Sequence, residues 1–374
     1  MVKVTLKSDA QNLDEVIVVA YGTAKKSSFT GSAAVIKADK IVSGSKESFD
    51  KALSGKMAGV RTASATGDPG SMAEINIRGV GSISASKSPL YVIDGVVTKA
   101  DDDMNYYGKT QSVLSTLNPE DIESMTVLKD AAAASLYGSR AANGVVVITT
   151  VTPKAGKINV DYNFTGTLEF PDLTDYNLMN AREKLATEVV AGLFQADPES
   201  NDIAEAQSSL DKIYNAKLNN VARGVDTYWL SKPLRTVFNQ KHSLYLDGGT
   251  ENLRWGADLS YTSGEGVMKG SFRDRMAGGL SLSYRLGSFQ VRNYFSYTYT
   301  NSEESPYGSF SSYTKKQPYD EYLDENGQYL KDTYPWTGSS SGYENPLYEA
   351  TLQSYDRSKS WELINNTGLL WNIN

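Results

Sequence analysis

The sequence predicts a small α+β domain followed by antiparallel β-strands long enough to line a transmembrane barrel. Three observations predict it: a change of composition near residue 150, strict two-residue alternation beyond that point, and connections of very unequal length between the alternating segments.

Tyrosine marks the boundary. Five of the 24 tyrosines precede residue 150, and all five tryptophans follow it. The earlier section is rich in Gly, Ala, Ser and Val, with short strand-like runs and small helices. The two join at Thr152-Pro153-Lys154-Ala155-Gly156, a linker by composition.

Beyond the linker, Ile158, Val160, Tyr162, Phe164, Leu168 and Phe170 share one face, while Asn159, Asp161, Asn163, Thr165, Thr167 and Glu169 share the other. The same period runs from Leu253 to Tyr261, from Met276 to Leu286, from Phe289 to Tyr299 and, less regularly, from Trp361 to Ile373. Such alternation gives one apolar and one wet face. Soluble strands typically run about 5–6 residues, whereas a bilayer-crossing strand needs roughly 9–11 and gathers aromatics at the headgroups. A soluble β-sandwich is the alternative that periodicity alone leaves open. Leu286-Gly287-Ser288 is a tight turn, but Glu303 to Ser354 is long, polar and Tyr-rich; long loops at one end and short turns at the other are a barrel's pattern. Leu178–Phe194 and Ile203–Asn219 have helical spacing and are expected in a loop outside the bilayer.

Charge and composition exclude several functions. The net charge of −7 argues against a nucleic-acid partner. With no cysteine, disulfides, thiol catalysis and thiolate metal sites are impossible. His242 is the only histidine and reads as a residue at the start of a strand. No nucleophile–base arrangement can be named, so neither an enzyme, a cofactor nor a metal site is expected. Arg78-Gly79-Val80-Gly81-Ser82 lacks the strand–helix frame of a nucleotide site. Asp101-Asp102-Asp103 lacks calcium-ligand spacing and reads as a solvated loop. Asp324-Glu325-Asn326-Gly327 reads as a hairpin turn between Tyr322 and Tyr329.

In the first section, Leu13-Asp14-Glu15-Val16-Ile17-Val18-Val19-Ala20-Tyr21-Gly22-Thr23 is a β-prone run. It reads either as one buried strand or as an exposed strand that adds to another protein's sheet edge. Further on come Leu53-Ser54-Gly55-Lys56-Met57-Ala58-Gly59-Val60, Ile75-Asn76-Ile77-Arg78-Gly79 and Pro89-Leu90-Tyr91-Val92-Ile93-Asp94-Gly95-Val96. Two more blocks run from Asn118 to Asp130 and from Ala134 to Thr150. Gly59, Gly79, Gly95, Gly138 and Gly144 fall at strand ends, where turns need positive φ or close approach. Asp94-Gly95 is a turn signal, Asp130 before four alanines an N-cap and short helix, and Val145–Thr150 a strand for a covered sheet.

In order, these segments resemble the SusC/RagA family of TonB-dependent outer-membrane transporters. The resemblance implies a remnant of a small β-domain at 1–12, so that the true N-terminus is missing, then a TonB box and linker at 13–28. A plug domain at 29–152 and the N-terminal part of a transmembrane β-barrel at 153–374 follow, the barrel being incomplete. It implies that Asp14, Glu15, Val16, Ile17, Val18 and Val19 meet TonB and that Arg78 and Arg140 contact the barrel wall. Gly79, Asp94, Gly95, Gly138 and Gly144 form the plug's turns. The function implied is TonB-dependent import of a large nutrient, an oligosaccharide or peptide, with a SusD-like surface lipoprotein in outer-membrane lipid. The Tyr-rich loops are candidates for stacking on sugar. A non-transporting truncated or split-gene product and a TonB-linked signalling receptor are the alternatives.

Overall fold

The computed structural model describes residues 16–19, 22–25, 33–37, 55–57, 59–64, 73–77, 79, 88–98, 105–106, 109–110, 121–129, 137–138, 141–333, 344–352 and 354–372. In chain order the first strands are β1 (Val16–Val19), β2 (Gly22–Lys25), β3 (Ala33–Lys37), β4 (Val60–Ser64), β5 (Ala73–Ile77) and β6 (Leu90–Ile93). They continue as β7 (Val96–Thr98), β8 (Asn105–Tyr106), β9 (Lys109–Thr110), β10 (Ile122–Leu128) and β11 (Val145–Thr150).

Five of these make one sheet in the order β3-β10-β11-β6-β7, while β1-β2, β4-β5 and β8-β9 are separate antiparallel pairs. β11 lies third of five, and Val145 to Ile148 are all buried. A β-branched run suits a strand covered on both faces. One core gathers Ile75, Ile77, Ile122, Met125, Val127, Val146 and Ile148; a second gathers Leu90, Val92, Leu128, Ala141, Val145 and Val147. Alternate residues of β10 and β11 thus serve opposite faces of the sheet. The Asp130–Ala134 helix lies outside the described residues.

Six longer strands form a second sheet: β12 (Gly156–Glu169), β13 (Val237–Gly249), β14 (Leu253–Glu265), β15 (Phe272–Leu286), β16 (Phe289–Glu303) and β17 (Arg357–Trp371). They pair antiparallel in sequence order. Alternation located five of them, though β12 ends one residue before Phe170. It did not delimit β13, where Gln240 and His242 on the apolar face and Val237 and Tyr245 on the polar one break the pattern, and His242 proves to be the sixth residue of that strand rather than its start.

The faces are sharply different. Val160, Phe164, Leu259, Met276, Leu280, Leu282, Tyr297 and Leu363 are exposed on one. Asp247, Asp258, Ser283, Gln290, Thr298 and Thr300 are buried on the other, toward the N-terminal domain. On the apolar face, Tyr299 stands directly opposite Trp361, and Phe289 directly opposite Trp371. The two pairs are ten residues apart along both strands, a path of about 33 Å at ~3.3 Å per residue. Tilted roughly 40°, that path rises about 25 Å, the height of a barrel's apolar band between its aromatic girdles. Within the band, Asn293 Nδ2 donates to Asn365 Oδ1 (2.7 Å) and Thr367 Oγ1 (2.8 Å), so these polar groups satisfy one another.

The connections are asymmetric as expected. β13–β14 and β15–β16 are joined by residues 250–252 and 287–288, while residues 170–236 and 304–356 make long excursions at the opposite end. The first excursion contains α1 (Ala181–Val190) and α2 (Ile203–Ala222). α1 is shorter than the predicted Leu178–Phe194. A capping box starts it, with Asn180 Oδ1 accepting from Glu183 N and Glu183 Oε2 from Asn180 N, and the chain leaves the helix at Ala191 before Gly192, whose φ is 74°. The second excursion holds α3 (Phe310–Thr314) and α4 (Pro346–Glu349). At Asp324, one carboxylate oxygen accepts from Asn326 N and Gln328 N, and Gly327 has φ 76°, making the expected turn.

Candidate functional site

β1 is the run expected to be the energy-coupling strand. It forms a hairpin with β2, in register from Val16 opposite Lys25 to Val19 opposite Gly22. Among the described residues β1 pairs with no strand but β2. Asp14 and Glu15 lie outside the described residues.

The turn residues fall into place individually. Asp94 (φ 48°) and Gly95 (φ 84°) form a two-residue turn that pairs Ile93 with Val96, a geometry requiring positive φ twice. Asp94 has a second task invisible to the motif: its carboxylate accepts from Thr150 N (2.9 Å) and Thr150 Oγ1 (2.6 Å), closing the end of β11. Gly144 combines φ 93° with a close approach. A Cβ there would meet Ile77 Cδ1 at 2.9 Å and the Leu128 carbonyl oxygen at 3.1 Å. Gly79 and Gly138 also have positive φ. Arg78 and Arg140 lie outside the described residues.

The junction between the N-terminal domain and the polar wall is built from other residues. Asp121 caps the domain's last strand, its carbonyl accepting from Val151 N (2.8 Å). Its charge acts on Tyr245, Arg275 and Tyr294, which project from β13, β15 and β16. Asp247 on β13 accepts from Lys154 N (2.8 Å), and Pro153 packs over Gly256, where a Cβ would lie 3.1 Å from its ring. The linker is therefore fixed to the wall at the end where the connections are short. Motif reading missed Asp121 and Asp247. Asp121 sits inside a motif block, but nothing in that block says what it faces.

At the opposite end the two excursions dock into one lobe. Glu188 on α1 is buried and receives Lys217 Nζ at 2.8 Å and Tyr319 Oη at 2.7 Å, so it joins α1, α2 and the second excursion. Lys217 also stands over the rings of Tyr319 and Phe194, at 4.8 and 5.2 Å. Burial, then the hydrogen bond to Glu188, pushes the Tyr319 hydroxyl above its ordinary pKa; burial does the same to Tyr313. Trp229 Nε1 donates to the Gln317 carbonyl, and Thr227 N to that of Pro318. Trp229, Leu230, Tyr313 and Leu347 form the lobe's core. Tyr313 and Tyr319, each 1% exposed, are structural and present no ring to a ligand.

A family model described as the TonB-dependent Receptor Plug Domain matches residues 25–145. TonB-dependent receptor SusC of Bacteroides thetaiotaomicron is 36% identical over 281 residues, covering 75% of this chain and 25% of that protein. TonB-dependent receptor P39 of Formosa agariphila is 31% identical over 374 residues, covering 98% of this chain and 32% of that protein. The RagAB peptide importer in its open-open state superposes with a TM-score of 0.72 at 26% identity, covering 96% of this chain and 41% of that one. This chain belongs to the SusC/RagA family of TonB-dependent transporters. It spans about a quarter to a third of the length of these curated relatives. Members of this family are outer-membrane β-barrel proteins. The five-stranded sheet is accordingly plug, the six-stranded sheet is barrel wall, and the wall's apolar face with its two aromatic rows is the lipid-facing one.

Proposed function

We propose that the protein takes part in TonB-dependent active import of a large nutrient, an oligosaccharide or a peptide, across the outer membrane. A SusD-like surface lipoprotein closes over the extracellular lobe and delivers the nutrient. Residues 13–28 act as TonB box and linker, 29–152 as plug, and 153–374 as barrel strands with their loops. The observation that carries this reading is β1, a short strand placed immediately before the plug, whose second edge meets no other strand among the described residues. TonB adds a strand to that edge through main-chain hydrogen bonds. Tension then passes through residues 26–32 to β3, the outer strand of the plug sheet, and rearranges the plug while Lys154 stays fixed to Asp247. In this scheme Arg78 and Arg140 add further contacts between plug and wall.

Two proline substitutions in the full-length transporter, Ile17→Pro and Val18→Pro, test it. Successive N–H groups of a strand point to opposite edges, so one of the two must remove a donor from that second edge. Uptake is expected to fall to background in at least one variant, with nutrient binding to whole cells unchanged. Full uptake in both would remove β1 from the energy-coupling role.

A further inference from the structure

Gly278 leaves a gap in the lipid-facing surface of the wall. It lies on β15 between Leu259 of β14 and Tyr297 of β16, its register partners, with Met276 and Leu280 along its own strand. All four of these side chains are exposed on the apolar face. With no side chain at the centre, a groove of about 650 Å³ opens, its walls made by Leu259, Tyr261, Met276, Tyr297 and Tyr299. It extends across β13 to Tyr162 and His242, where Tyr162 Oη lies 2.7 Å from His242 Nδ1 and the Phe164 ring is 5.0 Å from the imidazole. His242 shares a register row with Phe164, Tyr261, Met276, Tyr299 and Trp361. That row is the girdle nearer the long loops.

We propose that this groove binds one acyl chain of an outer-leaflet membrane lipid. Three features select that occupant. The floor and walls are almost wholly apolar, so a hydrated or charged group gains nothing there. The groove runs inward from the girdle row to Gly278, one step toward the other aromatic row, so its inner end lies where the surrounding medium is hydrocarbon and an unfilled depression would forfeit van der Waals contact. Its one polar pair, Tyr162 and His242, stands at girdle height, where a lipid's chain meets its polar head. Leu259 sets the depth: a Cβ at Gly278 would lie 3.1 Å from Leu259 Cδ2, so even a methyl group shallows the groove. The inference rests on this face of the sheet meeting lipid.

The test uses the full-length transporter reconstituted in phosphatidylcholine vesicles containing phosphatidylcholine spin-labelled near the chain terminus. Electron paramagnetic resonance counts motionally restricted lipids per protein. Gly278→Leu fills the groove, Gly278→Ala shallows it, and Val291→Leu adds bulk to the same face away from it. The expected result is one restricted lipid fewer in Gly278→Leu, a partial loss in Gly278→Ala and no change in Val291→Leu. Heat-resistant migration in detergent checks that each variant is folded. Equal restricted lipid in the parent and both Gly278 variants would overturn the groove while leaving the membrane placement intact. No restricted lipid in any protein would overturn both. A change from dimer to monomer in the Gly278 variants, with restricted lipid unchanged or raised, would identify a second copy as the occupant and overturn the lipid.

Discussion

The plug and the lobe formed by the long loops are both small cores attached to the same sheet, yet they are held together by different chemistry. The plug's centre is aliphatic: Val92, Ile122, Met125, Leu128 and Val145 to Ile148 are buried on β-strands paired through their backbones. The lobe's core is largely aromatic, with Trp229 and Tyr313 beside Leu230 and Leu347, and its parts meet through single side chains. Glu188, Lys217 and Tyr319 bridge three segments, and Asn345, fully buried, gives its amide to the carbonyls of Tyr322 and Leu330. An aliphatic sheet tolerates loss of one contact in proportion to its area. A buried ionic joint fails more abruptly, because removing one partner strands the other charge.

The sharpest way to break this comparison is at Lys217. Lys217→Ala leaves Glu188 buried without its main counter-charge and is expected to destabilise the lobe by about 3–5 kcal/mol. Protease cleavage within residues 191–202 should rise accordingly. Replacing both partners, Lys217→Met with Glu188→Met, is expected to recover most of the loss, since apolar replacements of similar volume suit a buried site. A double variant as labile as the single one would show that the joint is not ionic in origin.

In the plug, Leu128→Ala removes a fully buried side chain from one face of the sheet and should cost about 3 kcal/mol, within the usual range for such truncations. Denaturant unfolding of the full-length protein, read by protection of the plug's amides, measures it. If the plug is the aliphatic region described, the effect is confined there and lobe protection is unchanged.

These two regions also differ in how far the sequence revealed them. The plug's strands and turns follow from runs such as Val145–Thr150 and the Asp94-Gly95 pair, because backbone pairing and turn geometry are local properties of a few residues. The wall's faces follow from period-two alternation for the same reason. What stayed hidden is long-range: Glu188 and Tyr319 are 131 residues apart, and Asp94 and Thr150 are 56. The tyrosines of the second excursion mislead for a related reason. Tyr313 and Tyr319 resemble ligand-stacking rings in sequence, but burial in the lobe decides their role. β13 escaped because Gln240 and His242 fall on its apolar face and Val237 and Tyr245 on its polar one, which breaks the period of two.

A smaller effect sharpens the contrast through pH. Tyr313 and Tyr319 both have raised pKa values in the folded lobe, chiefly from burial. As pH rises past about 10, the unfolded chain releases their protons while the folded lobe keeps them, so stability falls, by at most about 1.4 kcal/mol per pH unit for each tyrosine. Lys316, lowered by burial, acts in the opposite direction but is a single group. The lobe should therefore loosen in base before the plug does, seen as a late, cooperative rise in tyrosinate absorbance that Tyr319→Phe diminishes.

The central claim is that the six-stranded sheet is a barrel wall with lipid on one face and the plug side on the other. Residues 1–374 contain no cysteine, so single cysteines can be placed along β15 once any cysteine elsewhere in the full-length protein is replaced by serine. Spin labels at Met276, Leu280 and Leu282 and at Ala277, Ser281 and Ser283 in the full-length protein report collision with oxygen, which concentrates in hydrocarbon, and with a water-soluble nickel complex. The account predicts strict alternation: the first three positions favour oxygen and exclude nickel, and the second three do neither strongly, being packed toward the polar interior. Ready access of the nickel complex to both Leu280 and Ser281 would place both faces in water and contradict the account.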